Sequence, residues 1–304
     1  MAMESKNLTG QIPPEDDLTE VKKPTSLLIA QFFLFPLIII AICVGIFLLF
    51  GYLTYERRDP HEYLAEVKSR SGSGPLEQTL RWQAAYELSN IIAAEKDRVR
   101  SDNKFIEDLI GVYRGTQGQD PRVRQYLALT IGTLGDRRAV PALVEGLADN
   151  QPESQIYSLF ALGTIGDNAA VPDVLKQLRN EDPAVRKVAA YVLGSFKDPR
   201  AAHDLQVALN DVKNQVRWNA AMALAQMNDT SGAEVLMQLI DRSYVNQLAD
   251  MTTAQKNLLV MNAVKCLGIL KFQPAHAKIL ALSQNDPDLG VRDASLEALK
   301  NFQM

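Results

Sequence analysis

Residues able to carry acid–base, metal or redox chemistry are few and scattered in this chain. His61, His203 and His276 are its three histidines, and Cys43 and Cys266 its two cysteines. A zinc or general-base centre needs several such groups at a characteristic spacing, and these share no motif. No Gly-x-Ser-x-Gly elbow, phosphate-binding loop or dinucleotide fingerprint occurs. These absences predict a protein without a catalytic centre, metal or cofactor. Recognition chemistry is better represented. Arg124, Arg186, Arg217 and Arg292 stand in one recurring context, and Trp82 and Trp218 each follow an arginine in that context. Such a row of guanidinium groups could grip an acidic ligand. The simpler expectation is structural: each arginine, in the first turn of a helix, reaches a mid-repeat aspartate or a neighbour's carbonyl and locks adjacent units. The two indoles either pack between helices or anchor a partner.

The elements that hold these residues repeat every 31 residues. "LGDRRAVPAL" (134–143) returns as "IGDNAAVPDV", "FKDPRAAHDL" and "MNDTSGAEVL". Asp136, Asp167, Asp198 and Asp229 keep step, as do Leu143, Val174, Leu205 and Leu236. Gly132, Gly163, Gly194 and Ala225 form a small-residue column that admits a close helix approach. Apolar residues recur at three- and four-residue spacing and no alternating strand pattern persists, so the region is all-α. Asp120–Pro121 and Asp182–Pro183 read as helix starts, with Asp as N-cap and Pro at the first helical position. The mid-repeat aspartates are placed to cap a second helix. One helix pair cannot bury its apolar faces alone, so stacked pairs must complete a core, as in a solenoid.

The columns resemble the HEAT-repeat family, in particular the short form found in phycobilisome lyases and many bacterial proteins. The resemblance is carried by "DPRVR" (120–124) and "DPAVR" (182–186), with "QVRW" (215–218) and "GVRD" (290–293) as variants. "ALGTIGDNAAVP" (161–172) and "LTIGTLGDRRAVP" (129–141) carry it too. It covers 76–304 and implies an armadillo-like helical fold whose usual role is protein contact. The expected architecture is an α-solenoid of about five helix-pair repeats plus a terminal half repeat, behind one N-terminal transmembrane helix. The rhythm breaks twice, in 93–119 and 242–255. In the second break Tyr244, Val245, Leu248 and Met251 would form an apolar stripe, either meeting a partner or covering the core.

Upstream, residues 32–50 lack any polar side chain, and Leu27–Ala30 and Gly51–Leu53 extend the run. About 20 apolar helical residues span a bilayer, so 27–53 is expected to be a single-pass transmembrane helix. An acidic tail before it and the length of its apolar core argue against a cleaved signal peptide. Residues 1–26 read as a disordered tail. Residues 54–75 read as a juxtamembrane segment and flexible linker, with Leu64 and Val67 on a face near the membrane. Arg57, Arg58, Lys68 and Arg70 outnumber Lys22 and Lys23, which places the solenoid in the cytoplasm, at a bacterial inner membrane. Cys43 lies within the span, so no intrachain disulfide is expected, and Cys266 fits a reducing compartment. The net charge of −4 includes no basic domain and argues against nucleic acid. The function expected is a membrane-tethered scaffold whose concave surface, lined by the second helices, grips a protein partner. The alternatives are an accessory subunit of a membrane transporter or respiratory complex, and a lyase-like enzyme or enzyme accessory.

Overall fold

The computed structural model describes residues 34–54, 59–70 and 74–303, the side chains of 51–54 and 303 excepted. The chain divides into two compact units, 1–57 and 58–304. The tail expected over 1–26 and most of the linker sequence at 71–73 lie outside the described residues.

The first unit contains α1 (Phe35–Thr54), an apolar helix. Its described side chains, 34–50, all face outward, with Phe35 65% and Phe47 77% exposed. Among the described residues no helix is long and apolar enough to cross a membrane. The segment expected to span, 27–53, has described side chains only over 34–50.

The second unit is helical throughout its described residues and contains no strand among them. It begins earlier than the sequence suggests. Helix α2 (Pro60–Ser69) starts on the Asp59 cap, and its Leu64 and Val67 are buried in the core rather than facing a membrane. Arg81 donates to the Val67 carbonyl at 3.0 Å and ties α2 to the solenoid. Six helix pairs follow: α3 (Pro75–Val99) with α4 (Asn103–Arg114), α5 (Pro121–Leu134) with α6 (Val140–Gly146), and α7 (Pro152–Ile165) with α8 (Val171–Lys176). Then come α9 (Pro183–Phe196) with α10 (Ala202–Ala208), α11 (Asn214–Gln226) with α12 (Ala233–Leu239), and, beyond the short α13 (Arg242–Asn246), α14 (Thr253–Ile269) with α15 (His276–Asn285). Helix α16 (Leu289–Gln303) closes the stack. There is thus one pair more than the five expected. The irregular ends, whose spacing departs from 31 residues, each form a complete pair. The 93–119 break is absorbed mainly by α3, which runs on to Val99 with a kink at Glu95.

The first helices α5, α7, α9, α11 and α14 end the same way, whereas α3 ends at Arg100 in right-handed backbone. Gly135 and Gly166 adopt left-handed backbone angles, and so do Lys197, Asn228 and Lys271 at the equivalent positions. After the first four an aspartate caps a three-residue 3-10 turn leading into the second helix, so the expected cap acts through that turn; after Lys271 the turn starts at Phe272 without a side-chain cap. Asp136, Asp167, Asp198 and Asp229 accept backbone N–H bonds from Arg138, Ala169, Arg200 and Ser231 at 2.8 to 3.0 Å. The first helices stack on one another, and the buried side chains form two clusters, 64–224 and 218–298, that meet across α11. Asp167→Ala should therefore lower stability by about 1 kcal/mol through loss of the cap. Equilibrium urea unfolding of the full chain measures this, and an unchanged midpoint would overturn the capping account.

Candidate functional site

The arginine column turns inward. Arg124 is 2% exposed, and its Nε lies 3.1 Å from Asp149 Oδ2 in an equally buried ion pair. The N–H is not aimed along that line, so the contact is Coulombic, not a hydrogen bond. The guanidinium also donates to the Tyr113 carbonyl at 3.1 Å and sits 4.3 Å from the Tyr113 ring centroid. Tyr113 Oη and Ser158 Oγ are 2.7 Å apart, and burial pushes the Tyr113 phenol above its ordinary pKa. Gly146 makes room for the cluster: a Cβ there would stand 2.3 Å from Tyr113 Oη and 2.6 Å from Ser158 Oγ. Three successive repeats therefore meet at one buried polar knot.

The same geometry recurs with other side chains. Arg186 pairs twice with Asp211, at 2.8 and 3.0 Å, and donates to the Asn180 carbonyl. Hydrogen bonding from Arg186 holds the Asp211 carboxyl below its ordinary pKa. In the repeat between them Gln155 and Asn180 make a neutral version at 2.9 Å. Arg217 donates to the Asp211 carbonyl at 2.7 Å. Arg292 Nε is buried without a hydrogen bond among the described residues. The partners of Arg124 and Arg186 are thus the aspartates at the ends of their own second helices and carbonyls of the preceding repeat; the mid-repeat aspartates are occupied as caps.

Aromatic positions named from the sequence sit largely inside. Trp218 is buried in the second cluster, and Trp82 is half-buried with the Arg122 guanidinium 5.3 Å from its ring centroid. The 242–255 break folds as α13 and a turn that ends at the Thr252–Gln255 capping box. Val245 is fully buried, and Tyr244, Leu248 and Met251 pack against the same cluster. That stripe covers core. Arg242, beside it, is anchored on Asp286 at 2.6 and 2.7 Å.

The two outer surfaces of the solenoid differ in chemistry. The second helices carry charges that answer one another: Arg114 with Glu145 at 2.9 Å, Lys176 with Asp173 at 2.7 Å, and Arg179 with Asp204 at 3.1 Å. The first helices present three columns without a charge across α5, α7, α9 and α11. These read Tyr126, Tyr157, Val188, Asn219, of which Val188 is buried; Leu129, Phe160, Tyr191, Met222; and Thr133, Thr164, Ser195, Gln226. Leu129 and Phe160 are each 38% exposed and Tyr191 53%. The hydroxyls of Thr133, Thr164 and Ser195 bond back to their own helices, so they offer little polarity. Phe160 and Tyr191 meet edge to face at 6.3 Å. Tyr86 continues the middle column into α3, where it packs edge to face on Tyr126. This ridge was readable as a 31-residue column, but the columns singled out from the sequence were those of the core. Among the described residues no cluster of three His, Cys, Asp or Glu side chains is placed to hold a metal ion.

A stack of helix pairs joined in this way defines an α-solenoid. The family model for HEAT repeats matches residues 106–181, 143–212 and 171–249, and the chain is a HEAT-repeat protein over that stretch. Among solved structures it resembles the complex of CpcE and CpcF of phycocyanin lyase from a Nostoc species, with 20% identity, 83% of this chain and 90% of that chain covered, and a TM-score of 0.54. It also resembles a mutant Kap121p, with 11% identity, 80% and 30% coverage, and a TM-score of 0.50. At these identities the likeness is one of fold. No curated protein matches the sequence.

Arg124→Ala should cost about 3–5 kcal/mol, because it strands the Asp149 carboxylate in the core. Arg124→Met combined with Asp149→Asn should cost much less than the sum of the two single changes, since it leaves no uncompensated charge. Thermal and urea unfolding of the three variants measure this coupling; additive losses would show that the pair is not the interaction that matters.

Proposed function

We propose that this chain is a membrane-tethered scaffold that binds a protein partner through the outer face of its first helices. The observation that carries the reading is the charge-free ridge of Leu129, Phe160, Tyr191 and Met222. Apolar and aromatic side chains left in register on a folded surface are the usual substance of interface cores. The apolar sequence 27–53 supports tethering, since its length suits a bilayer core. Flanking Arg57 and Arg58 favour a cytoplasmic solenoid. The accessory-subunit reading shares this anchor and differs only in the partner. CpcE, a partner in a two-chain lyase complex, supports heterotypic assembly as a use of this fold and offers a reading as an enzyme accessory.

The test is photo-crosslinking of the full chain in its source membranes, with a photoreactive residue at Phe160 or, as control, at Lys176 on the second-helix surface. A discrete adduct from position 160 and none from 176 is expected. No adduct from either site would overturn the scaffold reading, and an adduct from 176 alone would move the interface to the second helices. Removal of residues 1–57 should shift the chain from the membrane pellet to the supernatant on carbonate fractionation; retention in the pellet would place the tether elsewhere.

A further inference from the structure

The ridge ends in a groove of about 540 Å³ between α9, α11 and α14. Its floor includes Met222, Ala223 and Cys266, and Tyr191 and Ile269 stand at its edges. Burial pushes the Cys266 thiol up to about 11, so at neutral pH it offers an uncharged sulfur. Two cations line the groove, Lys197 and Lys265, and no carboxylate does. Lys197 follows the end of α9, and Lys265 occupies on α14 the place that Met222 occupies on α11, after the longer step caused by the 242–255 break. Lys265 is exposed. Neither lysine is in an ion pair with a described residue: the pairs formed by Lys and Arg elsewhere in the solenoid do not include them. The surface is therefore apolar at Leu129, Phe160, Tyr191 and Met222, on α5, α7, α9 and α11, and positive at Lys265 on α14 and at Lys197 just past the C-terminal end of α9.

We propose that ridge and groove together bind an amphipathic helix of the partner protein. Its apolar stripe lies on Phe160, Tyr191 and Met222, and acidic residues at one end meet Lys197 and Lys265. The proposal rests on the scaffold reading and names the partner's chemistry. Stacked helices lie about 8–10 Å apart, which is about five to seven residues of a helix laid across them at ~1.5 Å per residue, with a heptad at the wide end of that range. Leucines at heptad spacing would therefore meet successive rungs. An extended peptide is a poorer fit, because its backbone needs a continuous row of donors and acceptors and the Thr133, Thr164 and Ser195 hydroxyls already bond to their own helices. An anionic bilayer is a poorer fit too, because it attracts a broad basic patch, and here the positive charge is confined to one end of a recess.

The test uses the full chain in nanodiscs of zwitterionic lipid and a fluorescein-labelled helical peptide of about three heptads, with leucines at a and d and glutamates at one end. Comparison probes are the same peptide with lysine for glutamate, and vesicles containing phosphatidylglycerol. The acidic peptide should bind and the basic one should not. Lys197→Glu with Lys265→Glu should weaken binding about tenfold or more through like-charge repulsion. Tyr191→Ala should weaken it without altering charge, and both variants should keep the wild-type circular dichroism and melting midpoint. Equal binding of the two peptides, wild-type affinity in the double lysine variant, or lysine-dependent binding of vesicles but not peptide would each overturn the proposal. Crosslinking at Phe160 separates this failure from that of the scaffold: a partner still captured by the double lysine variant removes this site alone, whereas capture in neither chain removes both.

Discussion

Everything in the solenoid depends on how closely successive first helices approach. A single pair leaves its apolar face bare, and the only surface able to cover it is the next pair. The approach is closest at the small-residue column. A Cβ added at Gly194 would lie 2.8 Å from the Cα of Ala223 on the following helix, nearer than side-chain carbon can come to backbone. The aspartate caps, the 3-10 turns and the left-handed residue before them all serve to return the chain so that the next first helix arrives against this column. The buried arginines act at the opposite edge of the seam, where Arg124 and Arg186 draw the end of one repeat, the start of the next and its second helix into one polar knot.

Where that approach changes, the surface changes with it. Gly132, Gly163 and Gly194 hold the column for three junctions, and at the fourth it passes to Ala225. The same junction carries the 242–255 break, which adds α13 between α12 and α14. The groove at 191–269 opens there, and successive first helices touch one another least there. A methyl group in the seam and a longer connection on the other side give one physical account of both. Beyond it Gly268 restores the close contact against Ala298 of α16, where a Cβ would lie 2.8 Å from the alanine methyl.

Much of this was legible in the sequence, for a reason that also explains what was not. Repetition exposes whatever every unit needs, so the caps at Asp136, Asp167, Asp198 and Asp229 and the all-helical stack could be read from spacing alone. Features made once have no column. The partner of Arg124 is Asp149, and its equivalents Asn180 and Asp211 alternate between amide and acid, so the pairing shows only when the chain is folded. Helix α2 carries no repeat signature, yet burying Leu64 and Val67 makes it the first layer of the core. The stripe at Tyr244, Val245, Leu248 and Met251 had an apolar pattern that fits a lid and an interface equally, and burial of Val245 decides between packing and exposure in this structure. The outer ridge was present in the sequence too, but a half-exposed Phe160 or Tyr191 looks like a core residue until its solvent-facing side is seen.

The distribution of charge gives the ridge its significance. To bring a partner onto the second-helix surface, Arg114, Glu145, Arg179 and Asp204 would have to lose water or exchange partners they already hold. Desolvating such groups can cost as much as the new contacts return. The ridge on the first-helix face imposes less of that cost: its rings are partly dry, its threonine and serine hydroxyls are bonded at home, and the two lysines of its groove hold no ion pair that a partner would have to break. Association there would release water from apolar surface along the length of the ridge and leave only the groove to discriminate among partners. The regular part of the fold would then supply affinity, and the irregularity at α13 and Ala225 would supply selectivity. A solenoid built from near-identical units can acquire a specific site in this way, by changing one junction while the stacking of the others is kept.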